Sequence, residues 1–337
     1  MSLNTRHGNA GRATVENEPV PATSRRIFVA QLAALGTLLP RSGKALAHEL
    51  LAEPRDASAL AQEPMPTRPI PATGEPLPIV GFGSSKAVLD IPTAGTSPIE
   101  AVLRILLDRG GRVVDTSPRS EAIDAEFGRI LQLPELRERL FIATKINADG
   151  GPAGTLQVRQ MQRLFGRPQL DLVQIESMRD IDAHWPIVRA LKDTGETRYI
   201  GVTVSSNAMH ERMEAFMRAE SFDFAHVNYS VVETGAEDRL LPLARDRGMA
   251  VLLNRPFMNG EFFRRVEGRA LPAWATDFDC TTWAQFSLKY VLAHPAVTCV
   301  FTETTNPEHM RENTQAAFGR LPDEAARRRM RDLARTL

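Results

Sequence analysis

The sequence predicts an α/β chain folded as a single (β/α)8 TIM barrel, and the ends of its apolar runs carry that prediction. The stretch Arg112–Gly128 begins with an apolar, strand-like run, reaches the carboxylate of Asp115, turns at Ser and Pro residues and continues as a helical segment. Two further apolar runs end in the same way, one on Lys145 and the next on Glu176. In this fold the functional side chains lie at the C-terminal ends of the strands, so three apolar runs that each end on an ionisable residue together support it. Asp115 alone could simply cap the turn that follows it.

Apolar runs and helical periods alternate along the whole chain, as the βα units of a parallel sheet require. The predicted strands are Leu77–Gly83, the three runs that end on Asp115, Lys145 and Glu176, and then Tyr199–Val204, Phe222–Asn228, Ala250–Asn254 and Thr298–Thr302. The predicted helices are Pro98–Arg109, Glu121–Leu131, Thr155–Phe165, Ala183–Asp193, Asn207–Arg218, Glu237–Arg247, Thr282–Leu292, Glu308–Ala317 and a charged terminal helix, Asp323–Thr336. Glycines follow several of these helices, where a left-handed residue ends a helix at little cost.

Residues 1–47 are predicted to be a twin-arginine-type signal peptide. The pair Arg25-Arg26 is followed by a short apolar run and then by Ala45-Leu46-Ala47, which is the layout of an export signal with its cleavage site. The alternative is an amphipathic helix with a chance arginine pair. The apolar run is shorter than the roughly 20 residues that a bilayer span needs. We therefore expect the Tat export machinery as a partner, a periplasmic or otherwise exported location, and no stable membrane span.

The remaining organisation is a disordered linker over residues 48–68, rich in Pro and Ala, and one barrel domain over residues 69–337. Lysine plus arginine and aspartate plus glutamate both number 41, and this charge balance gives no reason to expect nucleic acid as a partner. The seven histidines form no metal-binding spacing, and Cys280 and Cys299 are expected to be two separate thiols. We therefore predict no metal.

Seven motifs in order resemble the aldo-keto reductase superfamily, from about Leu77 to Phe318. They are GRVVDTSP (111–118), FIATK (141–145), DLVQIES (171–177), TRYIGVT (197–203), FAHVNYS (224–230), LLNRPFMNG (252–260) and NPEHMRENTQA (306–316). Each motif is weak alone, and their order is what predicts the fold.

The resemblance implies a catalytic group of Asp, Tyr, Lys and His, and half of that group is replaced here. Asp115 and Lys145 match, whereas Ser120 stands at the Tyr position and Glu176 at the His position. An aliphatic hydroxyl is far less acidic than a phenol, so Ser120 cannot replace the tyrosine, and Glu176 is the remaining candidate acid. The alternative is that Asp115, Lys145 and Glu176 form a buried ion network in a vestigial site.

The resemblance also implies a nicotinamide cofactor, NAD(P)H, whose binding is weakened. Glu303 falls where a Lys is common and His309 where an Arg is common, at the positions that hold the 2′-phosphate in relatives. A carboxylate near that phosphate is repulsive by about 1 kcal/mol even when solvated. The candidate cofactor residues are Thr203, His226, Asn254, Thr302, Glu303, Thr304, His309, Glu312 and Asn313.

The sequence therefore predicts an aldo-keto-reductase-like, nicotinamide-dependent carbonyl oxidoreductase with an altered active site and a small-molecule carbonyl or related substrate. The alternative is an exported non-redox enzyme, or a small-molecule binding protein, that uses the same scaffold without productive hydride transfer. Export favours the alternative, because the periplasm has no ready supply of reduced nicotinamide.

Overall fold

A computed structural model of the chain describes residues 63–337. The predicted signal peptide and residues 48–62 of the predicted linker lie outside the described residues. Among residues 63–337, no helix is both long and apolar enough to cross a membrane.

Eight parallel strands close into a barrel, which confirms the predicted (β/α)8 fold. In the closed order, the last strand along the chain pairs with the first barrel strand, and each strand then pairs with the next along the chain until the ring is complete. The barrel strands are β3 (Val80–Gly83), β4 (Val113–Asp115), β5 (Phe141–Ile146), β6 (Leu170–Ile175), β7 (Thr197–Thr203), β8 (Phe224–Asn228), β9 (Ala250–Asn254) and β10 (Cys299–Thr302). Most strand residues are buried, as expected where helices cover the outside and side chains fill the inside.

The helices alternate with the strands and pack their apolar faces against the sheet. They are α1 (Ser97–Asp108), α2 (Glu121–Leu131), α3 (Gly151–Phe165), α4 (Ile181–Asp193), α5 (His210–Ala219), α6 (Leu240–Asp246), α7 (Trp283–Leu292), α8 (Pro307–Gln315) and the terminal α9 (Glu324–Ala334). Short side chains cap four of them by accepting a hydrogen bond from a backbone N–H of the first turn. The cap residues are Ser120, Thr282, Asn306 and Asp323.

A two-stranded hairpin precedes the barrel and corrects the predicted first strand. Leu77 lies in hairpin strand β2 (Pro76–Pro78), which pairs with β1 (Thr67–Pro69), and the barrel strand begins only at Val80. Ile70 and Leu77 are fully buried among inward-facing side chains of the barrel. Because the hairpin carboxylate of Glu75 contacts residues at strand starts, the hairpin closes the N-terminal end of the barrel and leaves the C-terminal end open.

The segment between β9 and α7 is more helical than the sequence predicts, since none of the predicted helices lies there. It contains a helix, Glu261–Val266, and a six-residue 3-10 helix, Ala273–Phe278. The two cysteines are both buried and unpaired, which agrees with two separate thiols.

Candidate active site

A buried ion pair lies at the ends of β4 and β5. The Lys145 Nζ donates to Asp115 Oδ2 at 2.6 Å and to the carbonyl oxygen of Thr116 at 3.0 Å. Only 6% of each charged side chain is exposed. Buried charges persist when they are paired and hydrogen-bonded, and here the strand register brings the two groups together. The structure thus brings together the Asp and Lys that the sequence places in the candidate site.

A row of buried polar groups continues from this pair across the barrel. Gln174 Nε2 donates to Asp115 Oδ1 at 3.2 Å, and His226 Nδ1 donates to Gln174 Oε1 at 3.1 Å. Burial lowers the pKa of His226 to about 4, so this ring is neutral at pH 7. Its Nε2 has no hydrogen-bond partner in the described part of the chain. His226 packs on the ring of Phe301, with 5.3 Å between ring centroids, and its Nδ1 lies 3.8 Å from Asp115 Oδ1.

Ser120 turns away from the ion pair. Its side chain is exposed and caps α2 by accepting from the backbone N–H of Ile123 at 3.5 Å. The preceding residue, Arg119, lies among the strand ends instead: its Nη1 donates to the carbonyl oxygen of Ser117 at 2.6 Å and its Nη2 to that of Ser84 at 2.6 Å. Burial lowers the pKa of Arg119, and nearby carboxylates oppose that effect. Sequence reasoning missed Arg119, whose only signal was its place in the turn after β4.

All three tyrosines of the chain are engaged away from this ion pair. Tyr199 donates to Glu75 at the hairpin, at 2.7 Å. Tyr229 and Tyr290 both donate to Glu237, in a cluster that holds the terminal helix. Because the chain has only these three tyrosines, no phenol is left for the position beside Lys145.

Glu176 is half-buried and follows β6 directly. Its Oε1 accepts a hydrogen bond from Ser117 Oγ at 3.3 Å. The next residues are strained, because Ser177, Met178 and Asp180 have φ of 51°, 53° and 41°, in the left-handed region that non-glycine residues rarely adopt. The Ser177 N–H donates to Thr203 Oγ1 at 3.0 Å, so Thr203, a candidate cofactor residue, also fixes this turn.

A cavity of about 430 Å³ opens beside the ion pair at the C-terminal end of the barrel. The segments after β3, β9 and β10 form its walls, and Asp115 reaches its floor. Of the candidate cofactor residues, Asn254, Glu303 and Thr304 line it. Its other lining side chains include the cations Lys86 and Arg255 and the aromatic residues Phe257, Phe263 and Phe301.

The remaining candidate cofactor residues do not line the cavity. Thr302 is fully buried and its hydroxyl donates to the Gly81 carbonyl oxygen at 3.4 Å. His309 is exposed on the first turn of α8, with Nδ1 3.4 Å from Thr304 Oγ1. Glu312 is half-buried and Asn313 is buried on the same helix.

Glu303 links two walls of the cavity. Its Oε1 accepts from the backbone N–H groups of Lys86 and Ala87, the latter at 2.8 Å. The Glu303 carboxylate therefore binds two backbone N–H groups that could otherwise bind an anionic ligand.

The wall formed by the segment after β9 contains polar atoms without partners. Asn254 Nδ2 donates to the Val204 carbonyl oxygen at 3.0 Å, whereas its Oδ1 is buried with no partner among residues 63–337. Arg255, with φ of 57°, pairs with Glu233 at 3.2 Å and leaves its Nε without a partner there. The cavity thus carries cations for a diphosphate and aromatic rings for a flat base, and the unpartnered Asn254 oxygen lies within its wall, a set of groups that fits a nicotinamide dinucleotide. No group of three or more His, Cys, Asp or Glu side chains suited to a metal occurs in the described range.

Comparison with solved structures shows the same fold. An aldo-keto reductase from Klebsiella pneumoniae in complex with NADPH superposes with a TM-score of 0.67 at 20% identity, covering 81% of this chain and 96% of that one. The holo form of AKR11C1 from Bacillus halodurans gives a TM-score of 0.64 at 18% identity, covering 80% and 96%.

Sequence comparison finds more limited matches. The NADH-specific methylglyoxal reductase of Escherichia coli is 24% identical over 177 residues, which are 45% of this chain and 53% of that protein. Aldo-keto reductase YhdN of Bacillus subtilis is 25% identical over 174 residues, 45% and 49% of the two chains. The chain thus spans about half the length of these relatives. The profile of the Aldo/keto reductase family matches residues 83–329, most of the chain, and the chain therefore belongs to that family.

Proposed function

We propose that this chain is a nicotinamide-dependent carbonyl oxidoreductase with an altered active site. The observation that carries the proposal is the buried pair of Asp115 and Lys145, whose carboxylate reaches the floor of the 430 Å³ cavity. Reduced nicotinamide, when bound, supplies a hydride to a carbonyl carbon. In this chain Asn254 Oδ1 would accept from its carboxamide, and Lys86 and Arg255 would hold its diphosphate.

The chain's own residues supply the charge and the proton for this chemistry. Lys145 places a buried positive charge beside the position where negative charge develops on the carbonyl oxygen, and Asp115 keeps that ammonium in place. Glu176, half-buried at the end of the neighbouring strand, is the acid–base group. The substrate class is a small carbonyl compound, in line with the E. coli relative that acts on methylglyoxal.

Glu303 favours NADH over NADPH. Its carboxylate is fixed by two backbone N–H groups at the cavity wall, where the resemblance puts the 2′-phosphate. A phosphate there meets a like charge, whereas a ribose hydroxyl can donate to the carboxylate, as it does in other dinucleotide sites. We expect Glu303→Gln, which keeps an acceptor for both amides, to strengthen NADPH binding about tenfold, by roughly 1.4 kcal/mol, and to leave NADH binding within about twofold. An equal change for both nucleotides would mean that Glu303 acts by tying the walls together and not by its charge.

The direct test is nucleotide titration followed by turnover on an aldehyde panel. Purified protein should quench or shift NADH fluorescence on binding and should oxidise NADH with at least one small aldehyde. Lys145→Met should keep NADH binding and lose turnover by about 10²-fold or more. Asp149→Asn, which breaks an exposed pair with Arg179, is the matched control and should change neither.

A second candidate function is a binding protein or non-redox enzyme on the same scaffold. The observation that favours it is the missing phenol: Ser120 caps α2, and every tyrosine is engaged elsewhere. Such a protein would show no titration with NADH or NADPH, and the same fluorescence experiment separates the two functions.

Export through the twin-arginine route is part of the proposal, on the basis of residues 24–47. We expect the precursor to be cleaved after Ala47 and the folded protein to reach the periplasm. Replacing Arg25 and Arg26 with lysine should trap the precursor in the cytoplasm, as fractionation and immunoblotting would show. Unchanged export of the double variant would contradict the twin-arginine route.

A further inference from the structure

A glycine on β7 lets side chains from the two strands beside it meet inside the barrel. β7 lies between β6 and β8, and Gly201 is the register partner of both Gln174 and Phe224. A Cβ atom at Gly201 would lie 2.7 Å from the Phe224 carbonyl oxygen and 3.3 Å from Gln174 Cγ. A larger residue would therefore fill this space, and the glycine leaves room for Gln174 to reach His226 on β8, at 3.1 Å.

The row of Asp115, Gln174 and His226 has one order of donors and acceptors. The Asp115 carboxylate only accepts, so Gln174 presents its amide nitrogen to it, at 3.2 Å. The Gln174 carbonyl oxygen then faces His226, so the ring proton of that histidine lies on Nδ1. Burial lowers the pKa of His226 to about 4, and at pH 7 the ring therefore has this one proton and a bare Nε2.

The row supports two groups at the cavity floor. Asp115 and Phe301 line the cavity, whereas Gln174 and His226 are fully buried and do not. His226 packs on the Phe301 ring, and Gln174 binds the Asp115 oxygen that Lys145 leaves free. Because both carboxylate oxygens have a buried partner, the Asp115 side chain cannot rotate without breaking a hydrogen bond that water does not replace.

We propose that Gln174 and His226 are positioning residues, which hold the Asp115 carboxylate, and through it the Lys145 ammonium, at the cavity floor. The inference rests on the proposed function, because Lys145 acts there on the carbonyl oxygen. Neither positioning residue touches the nucleotide or the substrate, and neither exchanges a proton in the reaction. A misplacement of about 1 Å in a reacting geometry can cost about 10²-fold in rate, so the loss of such support is measurable.

The first test measures turnover at saturating NADH with the best aldehyde of the panel. Gln174→Leu and His226→Leu keep apolar bulk but break the row, and each should lower kcat by about 10- to 10²-fold with NADH affinity within about twofold. His226→Asn places an amide N–H where the Nδ1 proton lies and should recover most of the lost rate. Both His226 variants lose the contact with Phe301, so the difference between them reports the hydrogen bond.

Thr144→Val is the matched control. Thr144 is buried on β5 beside Lys145, and its hydroxyl has no hydrogen-bond partner among residues 63–337, so the substitution should leave kcat unchanged. The double variant Gln174→Leu/His226→Leu should be no slower than Gln174→Leu, because the row is already broken in the single variant. Two independent packing defects would instead multiply their effects on kcat.

The second test needs no turnover. In nucleotide-free protein labelled with ¹⁵N in histidine, the His226 signals, assigned by their loss in His226→Asn, should show a proton on Nδ1 and none on Nε2 at pH 7. Gln174→Leu removes the acceptor of that proton and should shift these signals, whereas Thr144→Val should not. Circular dichroism shows which variants are folded, and the two His226 variants decide the test if Gln174→Leu does not fold.

The outcomes separate the positioning role from the proposed function. The positioning role is overturned, and the reductase left intact, by a kcat of His226→Leu within about twofold of the unmodified value, by a loss of NADH affinity in place of kcat, or by a proton on His226 Nε2. Failure of the unmodified protein to oxidise NADH although it binds the nucleotide overturns both.

Discussion

Replacing Lys145 with methionine removes the ammonium that donates to Asp115 and to the Thr116 carbonyl, and it leaves a carboxylate buried without its counter-ion. Only 6% of each side chain is exposed, so water compensates little. Breaking a buried pair of this kind costs about 3–5 kcal/mol, and Asp115→Asn should cost a similar amount because it leaves the ammonium unpaired. For a domain of this size that corresponds to a fall in Tm of roughly 6–20 °C.

The double variant Asp115→Asn/Lys145→Met should recover most of that loss, because replacing both charges of a buried pair is often neutral or stabilising. The measurement is thermal unfolding of the four proteins by circular dichroism at one scan rate. Asp149→Asn, which removes an exposed ion pair, should lower stability by at most about 1 kcal/mol. If the single variants lose no more stability than Asp149→Asn, the pair is not buried as described. A stable but inactive double variant would show that the pair is kept for chemistry.

Three other perturbations have defined outcomes. Burial opposes ionisation of Glu237, but the hydrogen bond from Tyr229 and the charge of Arg327 outweigh it and lower the pKa. The stability advantage over Glu237→Gln should therefore be full above about pH 5 and be lost as pH falls from the unfolded-state pKa through the folded-state pKa, in urea titrations across pH. Burial raises the pKa of Cys280 to about 12 and that of Cys299 further, so both thiols should react with a thiol reagent at pH 8 only after unfolding. Glu303→Lys should improve NADPH binding in fluorescence titration, and weaker binding would contradict the assigned phosphate position.

The barrel could be predicted from the sequence because its strands carry two signals at once. Each is a short apolar run, and three of them end on an ionisable residue, so the strands that carry Asp115, Lys145 and Glu176 were placed correctly. The first strand was placed too early, since Leu77 is equally apolar whether it lies in the barrel wall or in a hairpin that closes the barrel end. The spacing of apolar residues along the sequence indicates which residues are buried, but it does not indicate which sheet a buried strand joins.

The site was predicted less completely, because motif positions locate the backbone and not the direction of a side chain. Ser120 stands at the position given by the motif, yet its extended backbone, with φ of −73° and ψ of 147°, makes it the N-cap of α2. The hydroxyl that faces Glu176 belongs to Ser117, and the cation that holds it belongs to Arg119. The left-handed turn at Ser177 carried no signal either, since it has no glycine to mark it.

Glu176, which the sequence predicts at the family's His position, and the neighbouring Arg119 are linked through charge. Glu176 adds a carboxylate to a site that already holds Asp115, and an additional anion that is partly removed from water is costly unless a cation accompanies it. Arg119 provides that cation: its guanidinium lies between the strand ends, and its charge interacts with Asp124 and Glu303 and, more weakly, with Asp115 and Glu176. Lys145 is the second cation beside Asp115. Loss of Arg119 would therefore remove both the support of the Ser117 carbonyl and the charge that offsets Glu176. Returning a tyrosine to position 120 would leave Glu176 and Arg119 in place, so we expect that single change not to restore the whole catalytic group that the resemblance implies.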